Sequence, residues 1–450
     1  MSFKLHHQID RATTVIPVNA ESVASKSHAE TIAESSRNRL GTVALACLLS
    51  IGVAACGGGG GGATAPSLGS GDGGSGGSGS GSGGSSGGGT TSGPDFTSVD
   101  EAFQGFIDSS NVFDGISYVV VDAEGILHQE VFGDHNEDLI VMLASTSKVP
   151  AVMAMLALQE DPNVTFSIDE PVSTYLPYDG VYADRTVKQM VSNTSGIPGL
   201  RLVDQYGDPF GAIAGGEGGV NHLCQMSSQL HWDFEACGQI LVQNELPESR
   251  EAGAAFDYGG SQWQIAGVTA SIVANSTWNQ LFDKYIGEPC GLEVFTYGNP
   301  WEELSILGST SFDGVSVESM PGQHNPQIEG GAISNLADYA KLLQIHVNGG
   351  YCGDTQVLSE DSLAAMRENI GSAVDGLPVP YGMGWWIQPL MPGVYTDPGA
   401  FGAVSFIDVN RGIGGYMAID DYSRVDADAP PDFFIGEAIE LIQAAVDAAE

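Results

Sequence analysis

The chain has 450 residues, of which 42% are hydrophobic and 8% aromatic, enough to bury a substantial core. Its 56 acidic residues against 15 basic ones give a net charge of −41, which repels DNA and anionic lipid and disfavours a nucleic-acid role. A solvated acidic surface accounts for the excess.

Arg37 and Arg39 precede Leu40 to Ala55, an apolar run of about sixteen residues, short for a membrane span and the right length for a signal-peptide core. The run ends in Val53-Ala54-Ala55-Cys56, which resembles a bacterial lipoprotein box: small residues admit the signal peptidase, and the Cys56 thiol carries the lipid. Residues 57–94 follow, almost wholly Gly and Ser, with no side chains to bury. That composition predicts a flexible tether reaching on the order of 35 Å. Within it Gly73-Gly74-Ser75-Gly76-Gly77 fits the nucleophile-elbow pattern of α/β-hydrolases, but without the strand and helix that pattern needs. The organisation expected is a signal peptide and lipobox over 1–56, a tether over 57–94 and one folded domain over 95–450.

The folded domain opens with a predicted helix over 98–109, whose Val99, Phe103, Phe106 and Ile107 keep helical spacing. Strands over 116–121 and 126–132 flank Asp122-Ala123-Glu124-Gly125, a hairpin signal. Next comes Ala144-Ser145-Thr146-Ser147-Lys148 and an apolar run from Val149 to Leu158. A helix apolar nearly all round is a buried one. Ser145 and Lys148, three residues apart, share a helix face, so the amine can take the hydroxyl's proton; desolvation lowers the amine's pKa and suits it to that task. Pro150 costs one backbone hydrogen bond about a turn in. Ser-x-x-Lys also arises by chance, and a serine is an ordinary helix N-cap.

The flanks decide between these readings. Ser145-Thr146-Ser147-Lys148 resembles the Ser-x-x-Lys motif of the serine β-lactamase and penicillin-binding protein superfamily. Val187-Lys188-Gln189-Met190-Val191-Ser192-Asn193-Thr194-Ser195-Gly196-Ile197-Pro198-Gly199 is similar to a segment of its class C-like branch, with Asn193 in place of a histidine. That branch also includes carboxylesterases and D-amino-acid peptidases.

Leu200 to Ala236 is Gly-rich and irregular, and its aromatic and apolar content favours an active-site wall. His222, Cys224, His231 and Cys237 suggest a zinc site, but export into an oxidising compartment favours disulfides. With Cys47 removed and Cys56 lipidated, Cys224, Cys237, Cys290 and Cys352 allow three connectivities. The expected one is Cys224–Cys237 with Cys290–Cys352, because the first pair is close in sequence and brackets one loop.

Acyl transfer also needs a proton shuttle to the leaving group. The resemblance implies Tyr258, in Phe256-Asp257-Tyr258-Gly259-Gly260-Ser261-Gln262, at the place of the branch's Tyr-x-Asn motif. Gly260 replaces the asparagine whose amide helps hold the lysine and the substrate carbonyl, so Ser261 or Gln262 is expected to stand in. Gly330 to Asn335 resembles the family's turn before a helix over 336–346. The superfamily's Lys-Thr-Gly position is taken by Asp397-Pro398-Gly399. By resemblance Ser145 and Ala400 supply the oxyanion N–H groups, Gly399 lets the strand approach the substrate, and Asp397 stands at the substrate edge, ionised unless protonated or paired with Arg411. A second hairpin over 401–408 and 413–419 and a helix over 433–448 close the chain, and its strands are expected to pair with the first hairpin.

The fold class expected is α+β, an antiparallel sheet flanked by helices with an inserted helical subdomain, similar to β-lactamases and DD-peptidases. The expected activity is a serine hydrolase acting through an acyl-enzyme on small neutral esters or amides. No metal or organic cofactor is implied. β-Lactamase or D-amino-acid peptidase activity is the alternative within the superfamily; a catalytically weak binding or sensor lipoprotein is the alternative outside enzymes. The protein is expected to be exported and lipid-anchored on the periplasmic side, in the outer membrane or at the cell surface of a bacterium.

Overall fold

The computed structural model describes residues 93–110, 113, 115–199, 224–225, 233–246, 248–299, 317–371, 379–419 and 434–449. The expected signal peptide, Cys56 and the tether lie outside the described residues, as do His222, His231 and most of the expected wall over 200–236.

Helix α1 (Thr97–Ser109) leads into strands β1 (Gly115–Val121) and β2 (Ile126–Gly133). Their hairpin closes because Asp122 Oδ1 accepts from the N–H groups of Glu124 and Gly125, each at 2.9 Å. Near the other end lie β8 (Trp386–Ile387), β9 (Val394–Pro398), β10 (Val404–Asp408) and β11 (Ile413–Ala418). These form a six-stranded sheet of order β2-β1-β11-β10-β9-β8 with every neighbour antiparallel. β1 pairs with β11 from Ser117↔Ala418 to Val121↔Gly414, so the two ends of the domain share one sheet. β1 is buried along its whole length, which fits its mostly apolar sequence, interrupted only by Ser117, and helices on both faces. Gly415 makes room for the Phe406 ring, which a Cβ there would meet at 2.2 Å.

On one face α1 and the C-terminal helix seal Phe103, Tyr118, Val120, Phe406 and Ile442 into a core. Truncating Phe103 to alanine in that core costs about 3–5 kcal/mol. On the other face a helix (Leu336–Val347) crosses β11 and β1, with the Tyr339 and Tyr416 rings stacked at 4.3 Å. Between the hairpins lie α2 (Lys148–Glu160), α3 (Val187–Val191), α4 (Phe234–Gln243), α5 (Gly260–Ala274) and α6 (Trp278–Phe282). The helix over 336–347 is α7, that over Glu360–Met366 is α8, and the C-terminal one, Ile439–Asp447 after a π-turn at Phe434–Ala438, is α9. Short strands β3 (Val141–Met142), β4 (Thr296–Tyr297) and β5 (Ala332–Ser334) form a second sheet, and β6 (Tyr351–Cys352) with β7 (Thr355–Gln356) a small ribbon. The layout is α+β, as expected.

Three local expectations change. α4 begins at Phe234, inside the stretch read as irregular, because Asp233 caps it by accepting from the Ala236 N–H at 2.7 Å. The strand read from Phe401 starts only at Val404. Residues 399–403 form a tight turn, with Gly399 N–H donating to Ala403 O at 2.7 Å and Gly402 at φ +89°. Pro150 falls in the first turn of α2, and the Thr146 carbonyl that its missing N–H leaves free accepts from Tyr339 Oη at 3.0 Å. The expected loss is therefore offset by a side chain from another element.

Candidate active site

Ser145 lies not in an α-helix but in a 3₁₀ turn, Ala144–Ser147, that runs into α2. In a 3₁₀ turn residues i and i+3 eclipse, which stacks Lys148 over Ser145 more directly than an α-helix does. Lys148 Nζ donates to Ser145 Oγ at 3.2 Å and to the Glu329 carbonyl at 2.8 Å. It also stands 4.7 Å from the Tyr258 ring centroid and 5.6 Å from that of Trp263. Lys148 is 1% exposed while Ser145 is only half-buried, so the amine forms the floor and the hydroxyl faces the opening.

The turn is braced from three directions. Tyr297 Oη on β4 donates to Ser147 O at 2.8 Å, Tyr339 Oη on α7 bonds Thr146 O, and Thr146 Oγ1 lies 2.9 Å from Asp397 O and 3.0 Å from Ala403 O. Ala144 sits at φ +46°, a region costly for a residue with a Cβ, immediately before the serine. Among the described residues, neither the Ser145 nor the Ala400 backbone N–H donates a hydrogen bond. Gly399 holds the two segments together: a Cβ there would meet Leu143 O at 2.0 Å and Thr146 Oγ1 at 2.8 Å. Uncommitted backbone N–H groups are the kind of donor that can stabilise a developing oxyanion.

Tyr258 comes to the same place from the segment before α5. Its ring stacks on Trp386 at 5.8 Å and meets the edge of Tyr381 at 6.3 Å. The Asn193 to Gly199 segment carries it. Asp257 N–H donates to Asn193 O at 2.8 Å, and a Cβ at Gly199 would meet Tyr258 O at 2.0 Å. Asn193, at φ +58°, takes hydrogen bonds on Oδ1 from Gln262 Nε2 and Trp263 Nε1, both at 3.0 Å. The segment thus positions the tyrosine rather than touching the reacting atoms. Ser145, Lys148 and Tyr258 converge, and Gly399 packs against the turn that carries Ser145.

Two expectations about the site are corrected. Gln262 does not stand in for the missing asparagine: its amide N–H groups go to Asn193 and to Asp257 O at 2.6 Å, and its Oε1 accepts from Ser195 Oγ at 2.7 Å. The space opened by Gly260 is filled instead by the carboxyl of Glu329, whose Oε1 lies 1.7 Å from where a Cβ at 260 would stand. Glu329 Oε1 accepts from Gln327 Nε2 at 3.2 Å. Desolvation pushes this carboxyl above its ordinary pKa, with Lys148 and the Gln327 hydrogen bond acting the other way.

Asp397 is not at the substrate edge. It is fully buried on β9 opposite Ser405, and its Oδ2 accepts from the Val149 N–H at 3.4 Å, under the first turn of α2. Oδ1 has no partner among the described residues. Burial pushes the carboxyl well above the ordinary range, against the opposing pull of Lys148 and the Val149 N–H. Arg411 does not pair with it, because Arg411 sits at the far end of β10, held by Asp408 at 2.8 Å and Asp447 at 2.7 Å.

Cys224 is bonded to Cys237 and Cys290 to Cys352, with Cα separations of 5.3 and 5.1 Å. Cys224 and Cys237 are therefore spent as thiolate ligands. Among the described residues, no group of three or more His, Cys, Asp or Glu could hold a metal ion. Glu329 escaped the sequence reading; the signal for it was Gly260, a lost side chain whose space something else had to fill.

Comparison with known proteins places this geometry. The family profile described as Beta-lactamase matches residues 99–435. A penicillin-binding protein homolog from Caulobacter crescentus is 16% identical with a TM-score of 0.58, over 78% of this chain and 98% of the other. An octameric penicillin-binding protein homologue from Pyrococcus abyssi is 17% identical, TM-score 0.57, over 78% of each chain. A family VIII carboxylesterase is 18% identical, TM-score 0.55, over 79% and 97%. At these identities the structural likeness speaks to the fold alone. No curated protein matches the chain.

Proposed function

This chain belongs to the β-lactamase family, and on that premise we propose that it is a serine hydrolase working through an acyl-enzyme, with neutral esters or amides as substrates. The observation that carries the reading is the 3.2 Å contact between Lys148 Nζ and Ser145 Oγ at the floor of the opening. In the proposed cycle neutral Lys148 takes the Ser145 proton and Oγ attacks the acyl carbonyl. The Ser145 and Ala400 N–H groups hold the oxyanion, and Tyr258 delivers a proton to the leaving atom. Water then releases the acyl group. Export and lipid anchoring through Cys56 are proposed from the sequence alone.

Substrate charge follows from the corrected position of Asp397. Repulsion from an ionised Asp397 at the edge no longer enters, since that carboxyl is buried. What remains is the missing lysine of the third motif, whose charge-assisted hydrogen bond to an anionic substrate contributes roughly 1.5–3 kcal/mol. Losing it lowers kcat/KM for penicillins and cephalosporins by roughly 10- to 150-fold. The test has two parts. A fluorophosphonate probe should label the folded protein on Ser145, and absence of labelling favours a binding or sensor lipoprotein of the same fold. p-Nitrophenyl esters should then exceed a chromogenic cephalosporin in kcat/KM; the reverse order returns β-lactamase to first place.

A further inference from the structure

The carboxyl of Glu329 occupies the space that Gly260 vacates, two residues beyond Tyr258 and next to the carbonyl that Lys148 binds. The sequence resemblance puts an asparagine amide there, a group that donates a hydrogen bond to a substrate carbonyl. An ionised carboxyl has only acceptors, and the Lys148 charge and the Gln327 hydrogen bond favour that form against desolvation. Glu329 is only half-buried. One of its oxygens is engaged by Gln327, and Oε2 accepts from no described residue. No hydrogen bond from these neighbours occupies this oxygen: Gln262 is turned to Asn193 and Asp257, and Lys148, whose charge favours the ionised carboxyl, gives its hydrogen bond to the Glu329 backbone oxygen. A free acceptor beside the nucleophile inverts what the site can recognise on the acyl group.

We propose that Glu329 is a specificity-determining residue, whose carboxyl selects acyl groups carrying an N–H or O–H donor, above all a protonated amine, next to the scissile carbonyl. The inference rests on the serine hydrolase reading of the same site. The exchange is complementary in space. Gly260 with a side chain leaves no room for the carboxyl, and Glu329 shortened leaves the Gly260 space empty. The two positions therefore act as one unit, and a donor can be restored only by changing both.

The test compares p-nitroanilides of propionic, lactic and alanine acyl groups, which differ only in hydrogen, hydroxyl or ammonium at one carbon, in both stereochemical series. At about pH 6.5 the alanyl amine is protonated. The expected order of kcat/KM is alanyl over lactoyl over propionyl, with the ends on the order of tenfold or more apart. Any anilide that is not cleaved is run as a competitive inhibitor of p-nitrophenyl butyrate turnover, where the same order of Ki is expected. Glu329→Gln should shrink the alanyl-to-propionyl ratio several-fold, and Gly260→Asn/Glu329→Ala, which returns an amide to the space, should bring it to one or below. Ester turnover with a ratio near one in the natural protein, or a ratio unmoved in Glu329→Gln, overturns this assignment alone. Loss of both ester turnover and fluorophosphonate labelling in the natural protein overturns the hydrolase reading and this assignment with it.

Discussion

Replacing Asp397 by asparagine should make the protein more stable relative to the natural chain as pH rises. Asp397 is fully exposed to water when unfolded and fully excluded from it when folded, with one oxygen on the Val149 N–H and the other without a partner among the described residues. Its folded pKa is raised well above the ordinary carboxylate value, burial being the main cause. The sign follows from proton binding. A group that holds its proton more tightly when folded contributes fully below its unfolded pKa, near 4, and loses that contribution as pH climbs toward its folded pKa. Within that window the loss is about 1.4 kcal/mol per pH unit. For a domain of this size that is at most about 3–5 °C in Tm per unit. Asparagine keeps the shape and does not titrate. Any unsatisfied amide N–H it introduces, worth about 1–3 kcal/mol, lowers stability by the same amount at every pH and leaves the slope alone. Thermal melts of both proteins between about pH 5 and pH 8, read as the difference in Tm, check this. Glu329, whose pKa is raised in the same direction, is present in both chains and drops out of the difference. A flat difference curve refutes the argument, because it means Asp397 is ionised throughout, with Lys148 as its counter-ion.

Ser145→Ala should abolish fluorophosphonate labelling and ester turnover with an unchanged melting temperature; mass spectrometry finding the adduct on another residue removes Ser145 from the mechanism. Tyr258→Phe keeps the ring on Trp386 and Lys148 but removes the hydroxyl, and should lower kcat by roughly 10²- to 10⁴-fold. Turnover equal to the natural chain's would route the proton elsewhere. The disulfides close loops with sequence separations of 62 and 13 residues, so chain entropy assigns about 4 kcal/mol to Cys290–Cys352 and about 3 to Cys224–Cys237. Urea titrations of the two double-serine variants should rank them in that order, and the opposite ranking rejects the loop-length account. Cys56→Ser should move the protein from the detergent phase to the aqueous phase; unchanged partitioning removes the lipid anchor.

The parts of this molecule legible from the sequence are those whose physics is local. The Asp122 to Gly125 turn, the apolar run of β1 and the helical spacing of α1 each follow from a few neighbouring residues. Ser145 and Lys148 are legible for the same reason, since three residues of one turn hold them together. Tyr258 was readable only through resemblance, and what secures it is contact with Asn193 and Gly199, more than fifty residues earlier. Asp397 and Glu329 were misread or missed because their surroundings come from 248 and 181 residues away. A carboxylate's charge state depends on what buries it, and sequence position alone cannot supply that. Gly260 makes the general point. Taken as a letter in a motif it is a loss, an asparagine deleted from a site that needs a polar group. Taken in space it is half of an exchange, because only a glycine there leaves room for the Glu329 carboxyl. The site has not thereby become less polar; it has changed from donor to acceptor, and the substrates it accepts should change with it.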